Sequence, residues 1–125
     1  MLDQTAEDAI AKSASEQGQE SGNVKSVLRL GDSEEVLREY PDESVDCVVC
    51  DPPYAIQFMG LDFDKALPSV SLWKQVIRVM KPGAFAFVMS APRADVLSGM
   101  IGQLQKAGFR VDFSPLYWTF ASGFP

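Results

Sequence analysis

Two stretches of the chain carry an apolar stripe at helical spacing. Leu72, Trp73, Val76, Ile77 and Met80 recur three or four residues apart until Lys81-Pro82-Gly83, and Val96, Leu97, Met100, Ile101 and Leu104 do the same until Gly108. Both predict amphipathic helices, the first stopped by Pro-Gly and the second closed by glycine. The apolar runs Val45 to Cys50 and Ala84 to Met89 have strand length, and the second has the continuous pattern of a sheet covered on both faces. Upstream, Val27 to Gly31 predicts a first strand. Asp32-Ser33-Glu34-Glu35 fits a capping box with Asp32 as N-cap, opening a helix to about Tyr40, and Pro41-Asp42-Glu43-Ser44 supplies the turn into the next strand. Phe109 to Phe120 reads as a last strand, although Pro115 inside it removes a ladder donor and argues for an edge, a bulge or a break.

Strands alternating with helices across short turns imply an α/β fold, with a mostly parallel sheet, flanking helices and right-handed crossovers. Ligands of such sheets bind beyond the carboxyl ends of the strands. Asp32 and Asp51 both fall at such ends. Residues 1–24, rich in Ser, Gln, Glu and Ala, read instead as a polar, solvated tail ahead of a domain over 25–125.

With 125 residues and 46% apolar content, the chain can bury one modest core. No apolar run reaches the length of a membrane span, and Met1-Leu2-Asp3-Gln4 is not a signal peptide, so no membrane and a cytoplasmic location are expected. The formal charge of −6 is unevenly spread. Residues 1–24 carry five acids and one base, 25–50 seven and three, and 51–125 five and seven. Only the last segment is slightly basic, which is no strong phosphate-binding patch. The absence of His excludes Ser-His nucleophilic pairs and the His-ligated zinc of deaminases. Cys47 and Cys50, three apart on one strand, point to opposite faces and read as two small buried hydrophobes, with no metal site.

The chemistry concentrates in Asp51-Pro52-Pro53-Tyr54, directly after the run Val45 to Cys50. Asp51 can accept one hydrogen bond from an exocyclic amine and the Pro52 carbonyl a second, while the prolines, with φ fixed near −65° and no N–H, aim these acceptors. The ring of Tyr54 offers a stacking face for a flipped base. The bland alternative is a stiff exit from a strand with a half-packed Tyr. The connection from Ala55 to Leu67 reads equally as a loop folding over this site or as packing.

Four blocks carry a resemblance over Val27 to Pro125: Leu30-Gly31-Asp32 before a helix, Asp51 to Tyr54 followed by Phe58-Met59-Gly60, Met80-Lys81-Pro82-Gly83 before a strand, and Tyr117-Trp118 leading to Ser122-Gly123-Phe124-Pro125. Together they resemble the catalytic half of the amino DNA methyltransferases, which modify adenine N6 or cytosine N4 in restriction-modification systems. The last block is similar to the Trp-x-x-x-Ser-Gly-Phe-Pro stretch of phage-type members. The resemblance implies a partial Rossmann-like fold, S-adenosylmethionine as cofactor and DNA with a flipped base as partner. It assigns catalysis to Asp51, Pro52, Pro53 and Tyr54, and cofactor contacts to Asp32 and Asp51. For Asp32 the reading as a plain N-cap stays open. Trp118 and Phe120 match a second aromatic near the base, and a strand-core role for them stays open too.

The Phe-x-Gly-x-Gly turn with which this family binds its donor is missing, and Gly99-Met100-Ile101-Gly102 lies in a helix instead. The block order resembles the subgroup whose catalytic half comes first. The expectation is therefore an incomplete catalytic domain over 25–125, a truncated or split fragment completed by a C-terminal half or a partner subunit. An Asp at the first motif position favours adenine N6 in this family. A rival reading from another class is a non-catalytic binding or regulatory module in which the Asp-Pro-Pro-Tyr corner is a relic.

Overall fold

The computed structural model describes residues 26–56 and 64–119. The expectations for the tail over 1–24, for Phe58-Met59-Gly60 and for Phe120 to Pro125 lie outside the described residues. The chain divides into two compact units, Met1–Asp32 and Ser33–Pro125. In the first, residues 26–30 form no strand, and Val27, Leu28 and Leu30 are exposed. Strand propensity in Val27 to Gly31 is not enough, because a strand exists only when a neighbour takes its backbone hydrogen bonds.

The second unit holds α1 (Ser33–Arg38), β1 (Val45–Cys50), α2 (Val70–Val79), β2 (Met80–Val88) and α3 (Ala94–Ala107). β1 and β2 pair in parallel as a two-stranded sheet with α2 as the connecting helix, a mixed α/β arrangement. The register runs Cys47 to Phe85, Val48 to Ala86, Val49 to Phe87 and Cys50 to Val88. Between Val45 and Cys47 it shifts, since Val45 pairs with Met80 and the intervening Lys81-Pro82-Gly83-Ala84 arches out of the ladder. Pro82 thus sits where its missing N–H costs no ladder bond.

The two helical stripes meet as expected. Trp73, Val76 and Met80 join Met100, Leu104 and Ala107 in the core, and Phe109 sets its ring edge-on to Trp73 at 6.3 Å between centroids. Each such side chain contributes on the order of 1.5–3 kcal/mol by leaving water. Ser69 caps α2 by accepting the Leu72 N–H at 3.1 Å. At the C-terminus of α3, Gly108 adopts φ 109°, a left-handed conformation that strains any residue with a Cβ, and the N–H groups of Gly108 and Phe109 close on the Gln105 and Leu104 carbonyls.

One face of the sheet packs on this core through Val48, Cys50, Ala84, Ala86 and Val88. The other exposes Cys47, Val49, Phe85, Phe87 and Met89. Two expectations are corrected here. The run Ala84 to Met89 is covered on one face only, and Cys47 is exposed where both cysteines were expected to be buried, because alternate strand positions face opposite ways. A third correction concerns residues 109–119, which form no strand. Phe113 instead sets its ring 6.0 Å from that of Phe85, and Leu116, Tyr117 and Trp118 are exposed.

Candidate active site

Asp51 is the first residue beyond β1, and its place is fixed from the neighbouring strand by the Met89 N–H, which donates to the Cys50 carbonyl at 2.9 Å. The strand delivers the side chain into solvent, so Asp51 is exposed, while Pro52, Pro53, Tyr54 and Ala55 are half-buried behind it. The chain then turns sharply. Ala55 takes φ 60°, a left-handed conformation that costs a residue with a Cβ roughly 1–2 kcal/mol. The Tyr54 side chain reaches back to the strand end, where its hydroxyl donates to Asp51 Oδ1.

The electrostatics follow from that contact. Burial, then the hydrogen bond to Asp51, then the charge of Asp51, with smaller effects of Cys50 and Asp64, push the Tyr54 phenol up to about 12. The Cys50 thiol, half-buried at the end of β1, is also raised, first by burial and then by the charge of Asp51. Losing either proton would add negative charge beside Asp51. The corner therefore favours neutral donors or cations at the Asp51 carboxylate and disfavours anions.

The strongest hold on the corner comes from a residue the sequence reasoning missed. Asp64, 3% exposed, is the buried charged side chain among the described residues. Its Oδ1 accepts the Tyr54 N–H at 2.6 Å and the Ala55 N–H at 2.8 Å. Two successive backbone N–H groups converging on one carboxylate form a nest, which the left-handed Ala55 makes possible. The available signal was an acid, Asp64, next to Phe63 in a connection otherwise rich in apolar residues.

Of the predicted site residues, Asp51, Pro52, Pro53 and Tyr54 form one corner. Asp32 ends the other compact unit, directly before α1. Trp118 is 84% exposed, which excludes the core role that had stayed open for it. An open depression of ≈ 330 Å³ is lined by Gln105, Phe109, Arg110, Val111 and Asp112, none of which belongs to the corner. Among the described residues no cluster of His, Cys, Asp and Glu could hold a metal ion, and no helix is long and apolar enough to cross a membrane.

No protein-family model matches the chain. The chain is similar to an uncharacterized protein of Methanocaldococcus jannaschii, 31% identical over 94 residues, which cover 70% of this chain and 30% of the relative. The chain thus spans about a third of the length of the curated relative it matches. No solved structure matches.

Proposed function

We propose that this chain carries the catalytic corner of an S-adenosylmethionine-dependent methyltransferase acting on the exocyclic amino group of a DNA base, most favourably adenine N6. In this reading, β1, α2 and β2 belong to a Rossmann-like sheet and Asp51 lies at its ligand-binding edge. The observation that carries the reading is the Asp51 carboxylate, exposed at the carboxyl end of a parallel strand and already accepting a hydrogen bond from a neutral donor, the Tyr54 hydroxyl. An incoming amino group presents the same kind of donor and replaces that hydroxyl.

The chemistry required is modest but specific. The lone pair of an adenine amino group is delocalised into the ring, so the amine is a poor nucleophile. Accepting its two N–H groups at Asp51 and at the Pro52 carbonyl localises the lone pair as nitrogen becomes tetrahedral, and the negative charge of Asp51 stabilises the positive charge that develops there. Tyr54, freed from Asp51, offers its ring to the base. S-adenosylmethionine, when bound, supplies the electrophilic methyl group. The donor set suits the reacting end of that cofactor, since an exposed carboxylate tolerates a sulfonium.

The test is chemical analysis of DNA. A host free of adenine methylation is made to express the gene in its native reading frame, and its digested DNA is examined by mass spectrometry for methylated nucleosides. N6-methyladenine in the wild type and its loss with Asp51→Ala is the expected result. N4-methylcytosine alone would change the substrate. No methylated base in a host that accumulates folded protein would contradict the reading and favour the binding module.

A further inference from the structure

The geometry points to Asp64 as the positioning residue of the Asp51–Tyr54 corner. Its buried carboxylate, by gathering the N–H groups of Tyr54 and Ala55, fixes the peptide planes on either side of Tyr54, whose hydroxyl donates to Asp51 beyond the end of β1. The inference deepens the proposed function, on which its catalytic meaning rests, by naming what sets the geometry of the two acceptors.

Nothing in the Asp-Pro-Pro-Tyr segment itself orients the peptide planes on either side of Tyr54, and in a free chain their rotation would swing the Tyr54 ring away from Asp51. Bonds from N–H groups to a carboxylate are about twice as strong as neutral ones, so two of them at 2.6 and 2.8 Å outweigh the strain at Ala55. Asp64 can hold the corner because it is itself held. Pro68 is buried, Ser69 caps α2, and Leu67 reaches across to α3, where a Cβ on Gly99 would lie 2.9 Å from Leu67 Cδ1. Gly99 thus admits the close approach of the segment that carries Asp64. The rigid helical core is thereby connected through four residues to the carboxylate, and through the carboxylate to the backbone of Tyr54. Asp64 acts on Asp51 through Tyr54, which makes it a positioning residue.

The Tyr54 phenol reports the state of the corner, because its burial there and then its hydrogen bond to Asp51 raise it. The whole 125-residue chain, labelled at tyrosine Cζ with carbon-13, is titrated by NMR as wild type, Asp51→Asn, Asp64→Asn and the double variant. In the wild type Tyr54 is expected to titrate at about 12. Asp64→Asn is expected to bring it down toward the ordinary 10 about as far as Asp51→Asn does, and the double variant little further, since both act through one hydrogen bond. A folded Asp64→Asn chain in which Tyr54 keeps its titration, or falls that simply add, would overturn the assignment. Should Asp64→Asn not fold, hydrogen exchange on the wild type decides. Tyr54 and Ala55 amides slowed at least about tenfold against free peptide support it, and unprotected amides overturn it. None of these readouts uses methyl transfer, so a corner held in this way in a protein that methylates nothing sinks the function and leaves the positioning role standing.

Discussion

The two ends of β1 are built on the same plan and put to opposite use. Each is a tight corner containing a residue with a Cβ at positive φ, Glu43 at 53° and Ala55 at 60°, and each is gripped by one charged side chain that binds backbone. At the entry, Arg78 donates to the carbonyls of Leu37 at 2.8 Å and Tyr40 at 3.0 Å, to Gln75 Oε1 at 2.8 Å, and to Asp42. The return bonds run from the Glu43 and Ser44 N–H groups to the Arg78 and Val79 carbonyls at 3.0 and 2.8 Å. At the exit, Asp64 accepts the backbone N–H groups of Tyr54 and Ala55, and the acid that the strand delivers there, Asp51, is left with a partner that a ligand can replace. A corner whose gripping side chain binds both backbone and the corner's own carboxylate is structural. A corner clamped through its backbone keeps a side chain for chemistry.

The largest effect expected from this contrast is on the entry corner. Arg78→Ala removes a half-buried cation from two carbonyls and a carboxylate, and should lower stability in urea unfolding by roughly 3 kcal/mol. The Tyr54 titration in the folded variant should not move. A shift of Tyr54 in that variant would mean that the two corners are one unit.

At the exit corner, the pair Tyr54→Ala and Tyr54→Phe separates ring from hydroxyl. Loss of the ring should weaken DNA binding by about 1–3 kcal/mol through lost base stacking. Loss of the hydroxyl removes only the donor that the target amine displaces, so methyl transfer by Tyr54→Phe should stay within about threefold of wild type. Equal damage from both, measured as binding and turnover on the same duplex, would assign the function to the hydroxyl.

The alkaline side of the stability profile sharpens the same contact. Tyr54 is an acid whose folded value, about 12, lies above its ordinary 10, so the folded chain binds more protons than the unfolded one between these limits. Its contribution is fully present below about pH 10 and is lost as pH rises toward about 12. Unfolding followed over this window should lose less stability in Tyr54→Phe than in the wild type. Identical slopes would mean that the phenol proton is not held in the folded state.

The smallest effect is expected at Gly99. Alanine there gains about 1 kcal/mol of helix propensity, while its Cβ meets the flexible end of Leu67, which can turn aside. The melting temperature should change by no more than a few degrees. A large loss would show that Leu67 is wedged, and with it the segment that carries Asp64.

What the sequence made legible was local. The stripes through Trp73 and Val76 and through Met100 and Leu104 define α2 and α3 because burial of one helix face repeats every three or four residues, and the run ending at Cys50 defines β1. The Asp51–Tyr54 corner was legible because prolines and a strand-end carboxylate are themselves local. The segments at 26–30 and 109–119 form no strand despite their apolar residues, because pairing is a property of the neighbour, and residues such as Leu28 or Leu116 do not name one. Asp64 was invisible for a related reason. Its partners are backbone N–H groups nine and ten residues away, and backbone donors leave no mark in a sequence.

The account stands on Asp51 as the acceptor of an exocyclic amine, and the most direct measurement is the rate of tritium transfer from labelled S-adenosylmethionine to duplex DNA by the wild type, Asp51→Ala and Asp51→Asn. Both substitutions are expected to lower kcat by about 10²-fold or more, the scale of losing a preorganised catalytic group, with the affinity for DNA nearly unchanged. Asp51→Asn keeps the shape of the side chain, so its failure isolates the charge. Turnover by Asp51→Ala close to that of the wild type would contradict the account.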